Sequence, residues 1–162
     1  MPEKRLVLIV LGISAAVLAS LMIIHTRGFY TFWSAGSVDR ISATQAQELI
    51  EQKRVIILDA RSKEEFDVSH LPGAIHYSAD LLNNLNPKES VLVYCTISLR
   101  SNSLAKEMSK KGFSRVYDVT GGLISWVNNQ YDLVNGDNHK TDTLHSYNKW
   151  LAPFVQKGTP VY

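Results

Sequence analysis

Short apolar runs alternate with segments of helical pattern through the middle of the chain, and this alternation predicts the fold. Runs of strand length occupy positions 55–58, 74–77, 91–94 and 115–119, after a short strand that ends at 41–42. The first helical segment follows a cap at Ser42 or Thr44 and runs through position 50. Four further helical segments lie at 63–68, 80–85, 99–111 and 123–128. This order favours an α/β fold of three layers, α/β/α, with a mostly parallel central sheet.

The N-terminal part has a different pattern. Residues 6–24 form an unbroken apolar run without charges. At ~1.5 Å per residue, a helix of this length spans the ~30 Å hydrocarbon core of a bilayer, so we expect one transmembrane helix there. A signal peptide cleaved after Ala19 is the alternative, although signal peptides usually have apolar regions of only ~7–15 residues. A buried core helix would show an amphipathic pattern, which this run lacks.

The charges that flank this run suggest its orientation. Lys4 and Arg5 precede it and Arg27 follows it, so the positive-inside rule places the short N-terminus in the cytoplasm. Four aromatic residues between positions 29 and 33 are typical of a membrane interface. We therefore expect a single-pass membrane protein whose globular domain lies on the extracytoplasmic side, which in a bacterium is the periplasm.

These patterns divide the chain into four segments. Residues 1–27 are expected to be the membrane anchor, 28–39 a linker, 40–130 the globular domain and 131–162 a C-terminal extension to which the sequence assigns no role. Three aromatic residues of the extension could pack back on the domain: Tyr147, Trp150 and Phe154.

Composition narrows the range of functions. Seventeen lysines and arginines against 15 acidic residues give a net charge of +2, which argues against a nucleic-acid partner. His70 and His76 are isolated, as are His139 and His145, and none has a cysteine partner, so no metal site is predicted. We expect no cofactor.

The single cysteine of the chain carries the candidate chemistry. Cys95 follows the apolar run 91–94 directly and precedes a helical segment, so it is predicted at the carboxyl end of a buried strand and below a helix N-terminus. Active sites of open α/β sheets lie at this edge, and the helix N-terminus favours an anion and a thiolate. Arg100, five residues later, adds a planar cation suited to sulfate-like or phosphate-like groups. A small buried apolar cysteine is the alternative.

Three motifs resemble those of the rhodanese family of sulfurtransferases. Residues 94–101, Tyr-Cys-Thr-Ile-Ser-Leu-Arg-Ser, are similar to its active-site loop, commonly Y-C-x-x-G-x-R-S. Residues 59–66 match D-x-R-x-x-x-E-[FY], residues 69–74 are similar to G-H-[IL]-P-G-A, and residues 119–126 resemble L-x-G-G-x-x-x-W. The similarity covers about residues 40–130 and indicates a single-domain member of this family, which the apolar run at 6–24 would anchor in a membrane. Ser98 and Ser69 stand where the family usually has glycine; if position 98 needs a positive φ, Ser98 is held there at a cost.

The resemblance implies a role for each residue of these motifs. Cys95 would be the catalytic nucleophile, and Asp59, Arg61 and Ser101 would support the loop from behind. An ordinary surface ion pair is the alternative for Asp59 and Arg61. The loop residues that would bind the substrate are Thr96, Ile97, Ser98, Leu99 and Arg100.

The implied activity is sulfur transfer. Cys95 would take a sulfane sulfur from a small anionic donor such as thiosulfate as a persulfide, and would pass it to an external thiol or to cyanide. The acceptor must be external because the chain has no second cysteine. Ile97 and Leu99 make the loop apolar and it contains no lysine, which leaves the donor open.

Two other functions fit the same sequence. The first is a catalytically idle, membrane-tethered binding module on the same fold, which Ser98 and the uncharged loop favour. The second is a cysteine phosphatase, but such enzymes use a C-x5-R loop. The spacing from Cys95 to Arg100 is one residue shorter.

Overall fold

A five-stranded parallel sheet is the centre of the computed structural model, which describes residues 38–162. Its order is β1-β5-β4-β2-β3, and all neighbouring strands are parallel. The strands are β1 (Asp39–Ile41), β2 (Ile56–Asp59), β3 (Ile75–His76), β4 (Ser90–Tyr94) and β5 (Arg115–Val119). The predicted parallel sheet is confirmed, with the strand before Cys95 at its middle.

Five helices cover the two faces of the sheet. They are α1 (Ala43–Glu51), α2 (Lys63–Val68), α3 (Ala79–Asn84), α4 (Leu99–Lys110) and α5 (Gly122–Asn128). Apolar residues of α1 and α5 share one core cluster with Leu92 and Tyr94 of β4, whereas those of α3 and α4 share a second cluster with Val91 and Val93. Because side chains alternate along a strand, β4 is buried on both faces, and the three-layer arrangement follows.

Local sequence sets the beginnings of the helices. Ser42 and Ser62 each accept a hydrogen bond from the backbone N–H three residues later, and the side chains of Gln45 and Glu65 reach back to the serine N–H. Both are capping boxes, which satisfy two N–H groups that the helix leaves free. Of the two caps predicted for α1, Ser42 is the one used.

The C-terminal extension adds two small strand pairs. β6 (Leu133–Val134) pairs with β7 (Lys140–Thr141) in antiparallel fashion, and β8 (Thr143–His145) pairs with β9 (Thr159–Val161) in parallel. Tyr147, Trp150 and Phe154, which were expected to pack back on the domain, are not core residues, because more than half of each side chain is exposed. Tyr147 nevertheless contacts the domain, since its ring centre lies 5.1 Å from the guanidinium carbon of Arg100. Leu133 and Leu144 are the buried residues that attach the extension to the core.

Within residues 38–162, no helix is long and apolar enough to cross a membrane. The predicted span at 6–24, the aromatic residues that follow it and most of the predicted linker lie outside the described residues.

Candidate active site

Cys95 lies at the carboxyl end of β4 and is buried, with 1% of its surface exposed. Residues 96–98 form the loop that follows, and α4 begins at Leu99. The strand–loop–helix arrangement predicted for this stretch is confirmed. Because the first N–H groups of a helix have no partner within it, the first turn of α4 offers hydrogen-bond donors and a positive dipole end beside the loop.

Ser98 adopts the left-handed conformation that glycine favours, with φ +71°. This conformation costs a residue with a Cβ roughly 1–2 kcal/mol. The buried Ser98 hydroxyl donates a hydrogen bond to the carbonyl oxygen of Val119, at the end of β5. That bond fixes the loop against the neighbouring strand and offsets part of the strain.

The start of α5 holds the same loop from the other side. The N–H groups of Leu123 and Ile124 donate to the carbonyl oxygens of Cys95 and Thr96, at 2.8 and 3.2 Å. Gly122, with φ +54°, packs so closely that a Cβ there would lie 2.2 Å from the Cys95 carbonyl oxygen. The glycine pair 121–122, predicted as a tight turn, therefore leads into the helix that supports the cysteine loop.

Arg100 is bound by a carboxylate that the sequence did not single out for the site. Its Nη1 and Nη2 donate to Oε2 and Oε1 of Glu65 at 2.6 and 2.8 Å, and Nη2 also donates to the Thr96 hydroxyl at 3.1 Å. Burial raises the pKa of Glu65, but hydrogen bonds from Arg100 and the Ser62 N–H outweigh it and lower the pKa to about 2. The pKa of Arg100 is raised, first by its hydrogen bond to Glu65 and then by the adjacent Cys95. Glu65 belongs to the first motif, and the sequence explained it by its capping role alone. Its burial in the structure reveals the second role, as the partner of Arg100.

Asp59 and Arg61 form a buried ion pair at the end of β2. Arg61 donates from Nη2 to Asp59 Oδ2 at 2.6 Å and to the Ser69 carbonyl at 2.5 Å, and both side chains are fully buried. The alternative of a surface ion pair is therefore wrong. The pair lies beside Tyr94, whose ring centroid is 5.8 Å from the guanidinium carbon. Asp59 and Arg61 thus support the end of β4 from the adjacent strand.

Behind the cysteine lies a second carboxylate that sequence reasoning missed. The hydroxyl of Ser101 donates to Asp118 Oδ1 at 2.6 Å and lies 3.6 Å from Cys95 Sγ. Asp118 is fully buried, with Arg40 Nε 3.8 Å from its other oxygen. Burial raises the pKa of Asp118 to about 6. Its position in the apolar run of β5 gave no sign of proximity to the site.

A cavity of about 290 Å³ opens above Cys95. The loop and α4 form one part of its lining, and the C-terminal extension forms the other. The lining residues are Cys95, Thr96, Ile97, Leu99, Arg100, Tyr147, Asn148, Trp150 and Leu151. Cys95 and the predicted substrate-binding residues are thus brought together, except for Ser98, whose hydroxyl faces β5 instead.

Comparison with known proteins agrees with this geometry. The model of the rhodanese-like domain family matches residues 42–129, which is more than half of the chain. The chain belongs to the rhodanese-like domain family. Among solved structures it is similar to a rhodanese-related protein from Thermoplasma volcanium, with a TM-score of 0.52 and 26% identity over 59% of this chain and 97% of that one. The segment that the family model matches contains four of the five strands of the sheet, β2 to β5, and the helices α1 to α5.

Sulfurtransferases are among the relatives of this rhodanese-like chain. It is 32% identical over 91 residues to the thiosulfate sulfurtransferase GlpE of Coxiella burnetii, covering 54% of this chain and 85% of that protein. It is also 30% identical over 135 residues to the tRNA uridine(34) hydroxylase of Protochlamydia amoebophila, covering 75% of this chain and 41% of that protein. The similarity to the thiosulfate sulfurtransferase supports an activity of the sulfurtransferase kind.

Proposed function

We propose that this protein is a sulfurtransferase that carries a sulfane sulfur on Cys95 as a persulfide. The observation that carries this proposal is the position of Cys95 at the base of the cavity, next to Arg100 and the first turn of α4. A thiolate there is the nucleophile, and the helix N-terminus stabilises negative charge on the cysteine and on its persulfide.

The first half-reaction loads the cysteine. The Cys95 thiolate attacks the terminal sulfur of a donor such as thiosulfate, and a new S–S bond forms while the donor's own S–S bond breaks. Sulfite leaves with the electron pair of that bond, so the step needs neither an oxidant nor a proton. Arg100 and the N–H groups of the loop hold the anionic donor in line for attack.

The second half-reaction removes the sulfur from Cys95. An external thiolate or cyanide attacks the outer sulfur of the persulfide and releases the Cys95 thiolate. Because Cys95 is the only cysteine, no resolving thiol competes within the chain. The two half-reactions predict ping-pong kinetics.

Two alternatives come from the same residues. Glu65 already neutralises Arg100 with two hydrogen bonds, and this favours a catalytically idle binding module. A cysteine phosphatase needs a loop that encircles a tetrahedral phosphate. The four residues between Cys95 and Arg100 give a smaller loop, which suits a sulfur atom better.

We also propose that residues 6–24 anchor the protein in a membrane, with the domain on the periplasmic side. The support is the length of the uncharged run and the excess of basic residues before it. Protease added to intact spheroplasts is expected to degrade the domain. Protection of the domain there, or recovery of the full chain in the fraction without membranes, would overturn the proposal.

The decisive test of the function is the intact mass of the full chain in detergent after incubation with thiosulfate or glutathione persulfide. A gain of one sulfur atom, reversed by cyanide and absent from Cys95→Ser, is expected. No gain with either donor would leave the binding module as the function.

A further inference from the structure

Three large apolar side chains surround the opening of the Cys95 cavity. Leu99 of α4 is 60% exposed, and Tyr147 and Trp150 of the extension are 58% and 75% exposed. A single exposed apolar side chain is ordinary on a protein surface, but a group of them around a cavity that contains a nucleophile is typical of a ligand-binding site. We call Tyr147 and Trp150 the aromatic wall.

The aromatic wall is held in place by the extension. Ser146 is fully buried, its N–H donates to the Val161 carbonyl at 2.7 Å, and its hydroxyl donates to the Asn148 carbonyl at 3.1 Å. Tyr147 has φ +72°, a conformation that an aromatic residue rarely adopts without support from its surroundings. The N–H of Trp150 donates to Asn148 Oδ1 at 2.9 Å. The backbone on both sides of the wall is therefore fixed before any ligand arrives.

The charges at the cavity do not favour a small dianion. Among the described residues that line it, Arg100 is the one cation, and Glu65 binds that guanidinium in bidentate fashion. The guanidinium carbon of Arg100 also lies 5.1 Å from the centre of the Tyr147 ring. The cavity is large as well: thiosulfate is the size of a few water molecules of about 30 Å³ each, so it would fill only part of the 290 Å³.

We propose that the aromatic wall selects organic sulfane-sulfur donors, R–SO₂–S⁻ or R–S–S⁻, in which R is an apolar group. This inference rests on the proposed persulfide chemistry of Cys95. The thiolate attacks the terminal sulfur, the donor S–S bond breaks, and its electron pair leaves with the sulfinate R–SO₂⁻ or the thiolate R–S⁻. The R group lies against Leu99 and Trp150, where burial of its apolar surface adds to the binding of the donor. Residues 147–151 would then be the specificity-determining part of the extension.

The test compares donors that differ only in R. Persulfide formation by the full chain, in one detergent, is measured with benzenethiosulfonate and methanethiosulfonate, and the ratio of the two kcat/KM values is the preference. We expect the parent to prefer the benzene compound by about tenfold, and Trp150→Ala to reduce this preference about fivefold. Partition of the donors into the detergent changes the ratio of the two kcat/KM values by the same factor in every variant. It therefore cancels when the ratios of two variants are compared.

Phe154→Ala is the matched control, since Phe154 is an exposed aromatic residue of the same extension that does not line the cavity. It is expected to keep the preference of the parent. A second variant, Leu99→Lys, adds a cation at the opening and is expected to raise the kcat/KM for thiosulfate relative to benzenethiosulfonate by about tenfold.

The outcomes separate the two proposals. A parent without preference for the benzene compound, or an equal change in Trp150→Ala and Phe154→Ala, overturns the selective role of the wall while leaving sulfur transfer intact. Absence of persulfide with thiosulfate and both thiosulfonates overturns the proposed function, and the role of the wall with it.

Discussion

The guanidinium of Arg100 meets the carboxylate of Glu65 in two parallel hydrogen bonds of 2.6 and 2.8 Å, although 35 residues separate them. This bidentate pair connects α2 to the first turn of α4 across the candidate active site. It fixes the plane of the guanidinium and, through the Thr96 hydroxyl, one side of the cysteine loop. The same pair balances the charge of Arg100, so in the proposed reaction the charge of Arg100 alone would not be sufficient to bind an anionic donor.

Replacement of Glu65 by glutamine tests this pair. Glutamine keeps the capping box with Ser62 but cannot accept both hydrogen bonds of Arg100. Because the guanidinium then loses its fixed orientation beside Cys95, we expect persulfide formation to slow about tenfold. Because the buried ion pair is also lost, we expect the free energy of unfolding at pH 7 to fall by about 1–3 kcal/mol. The pKa of Glu65 is lowered from 4.5 to about 2. Its contribution to stability is therefore complete above pH 4.5 and is lost as the pH falls toward 2. Urea denaturation should show the parent and Glu65→Gln converging in that range.

Glu64→Gln is the control for this experiment, because Glu64 is an exposed carboxylate in the same first turn of α2. It is expected to change the free energy of unfolding by less than about 0.5 kcal/mol. If Glu64→Gln and Glu65→Gln were equally stable at pH 7, the Glu65–Arg100 pair would make no net contribution to stability.

Gly122 is expected to be intolerant of any side chain. A Cβ there would lie 2.2 Å from the Cys95 carbonyl oxygen and 2.7 Å from the Thr96 carbonyl, so Gly122→Ala must move the cysteine loop. We expect this variant to lose more than about 3 kcal/mol of stability and at least a hundredfold in the rate of persulfide formation. Thermal unfolding and the intact-mass assay, carried out below the unfolding temperature of the variant, measure the two effects.

Gly73 provides the comparison, because it has φ +76° but nothing lies within 4 Å of an added Cβ. Gly73→Ala is expected to cost only the backbone strain of about 1–2 kcal/mol and to keep the activity. Equal losses in the two variants would show that positive φ, and not contact with the loop, explains the need for Gly122.

Ser98 combines a strained backbone with a buried hydrogen bond, and two substitutions separate these effects. Ser98→Ala keeps φ near +71° and loses the bond to the Val119 carbonyl, so we expect a loss of about 1–2 kcal/mol. Ser98→Gly loses the same bond but relieves strain of about 1 kcal/mol, so we expect a stability close to that of the parent. The free energy of unfolding of the parent and of the two variants, measured by urea denaturation, separates the effect of the strain from that of the hydrogen bond. A glycine variant less stable than the alanine variant would contradict the argument from strain.

Local patterns were sufficient to predict most of the domain. Ser62 and Glu65 predicted the start of α2 because a capping box involves only residues three apart. The apolar run before Cys95 predicted both β4 and the position of the cysteine, because the run is buried on both faces. The family motif has a glycine where this chain has Ser98, and this difference raised the possibility of a positive φ at position 98. The structure shows that φ is positive there.

Contacts between distant residues were not predictable in this way. The Glu65–Arg100 pair depends on how α2 lies beside the loop, and no periodicity within either segment encodes that distance. The aromatic wall depends on the long segment between β8 and β9, where Tyr147 takes an uncommon backbone conformation. The apolar character of the aromatic residues in the extension predicted packing against the domain, but it could not predict that Tyr147 and Trp150 line the cavity at Cys95.

Asp118 predicts a pH dependence of stability that runs opposite to that of Glu65. Its pKa is raised from 3.8 to about 6 by burial, in spite of the Ser101 hydroxyl, the charge of Arg40 and the Asn102 amide that face it. Between these two values the folded state binds more protons than the unfolded state. The contribution of Asp118 is thus complete below pH 3.8 and is lost as the pH rises through 6, a change of up to about 3 kcal/mol.

Asp118→Asn removes this titration and keeps a polar group that can pair with Ser101. We expect the variant to be more stable than the parent at pH 8, and this advantage to shrink between pH 6 and pH 4.5. Urea denaturation at several pH values, followed by fluorescence of the buried Trp126, measures the difference. The exposed Asp137 provides the control, since Asp137→Asn should leave the pH profile of the parent unchanged. If the difference in the free energy of unfolding between the parent and Asp118→Asn were constant from pH 4.5 to 8, Asp118 would keep one protonation state throughout that range. The predicted pH dependence would then be wrong.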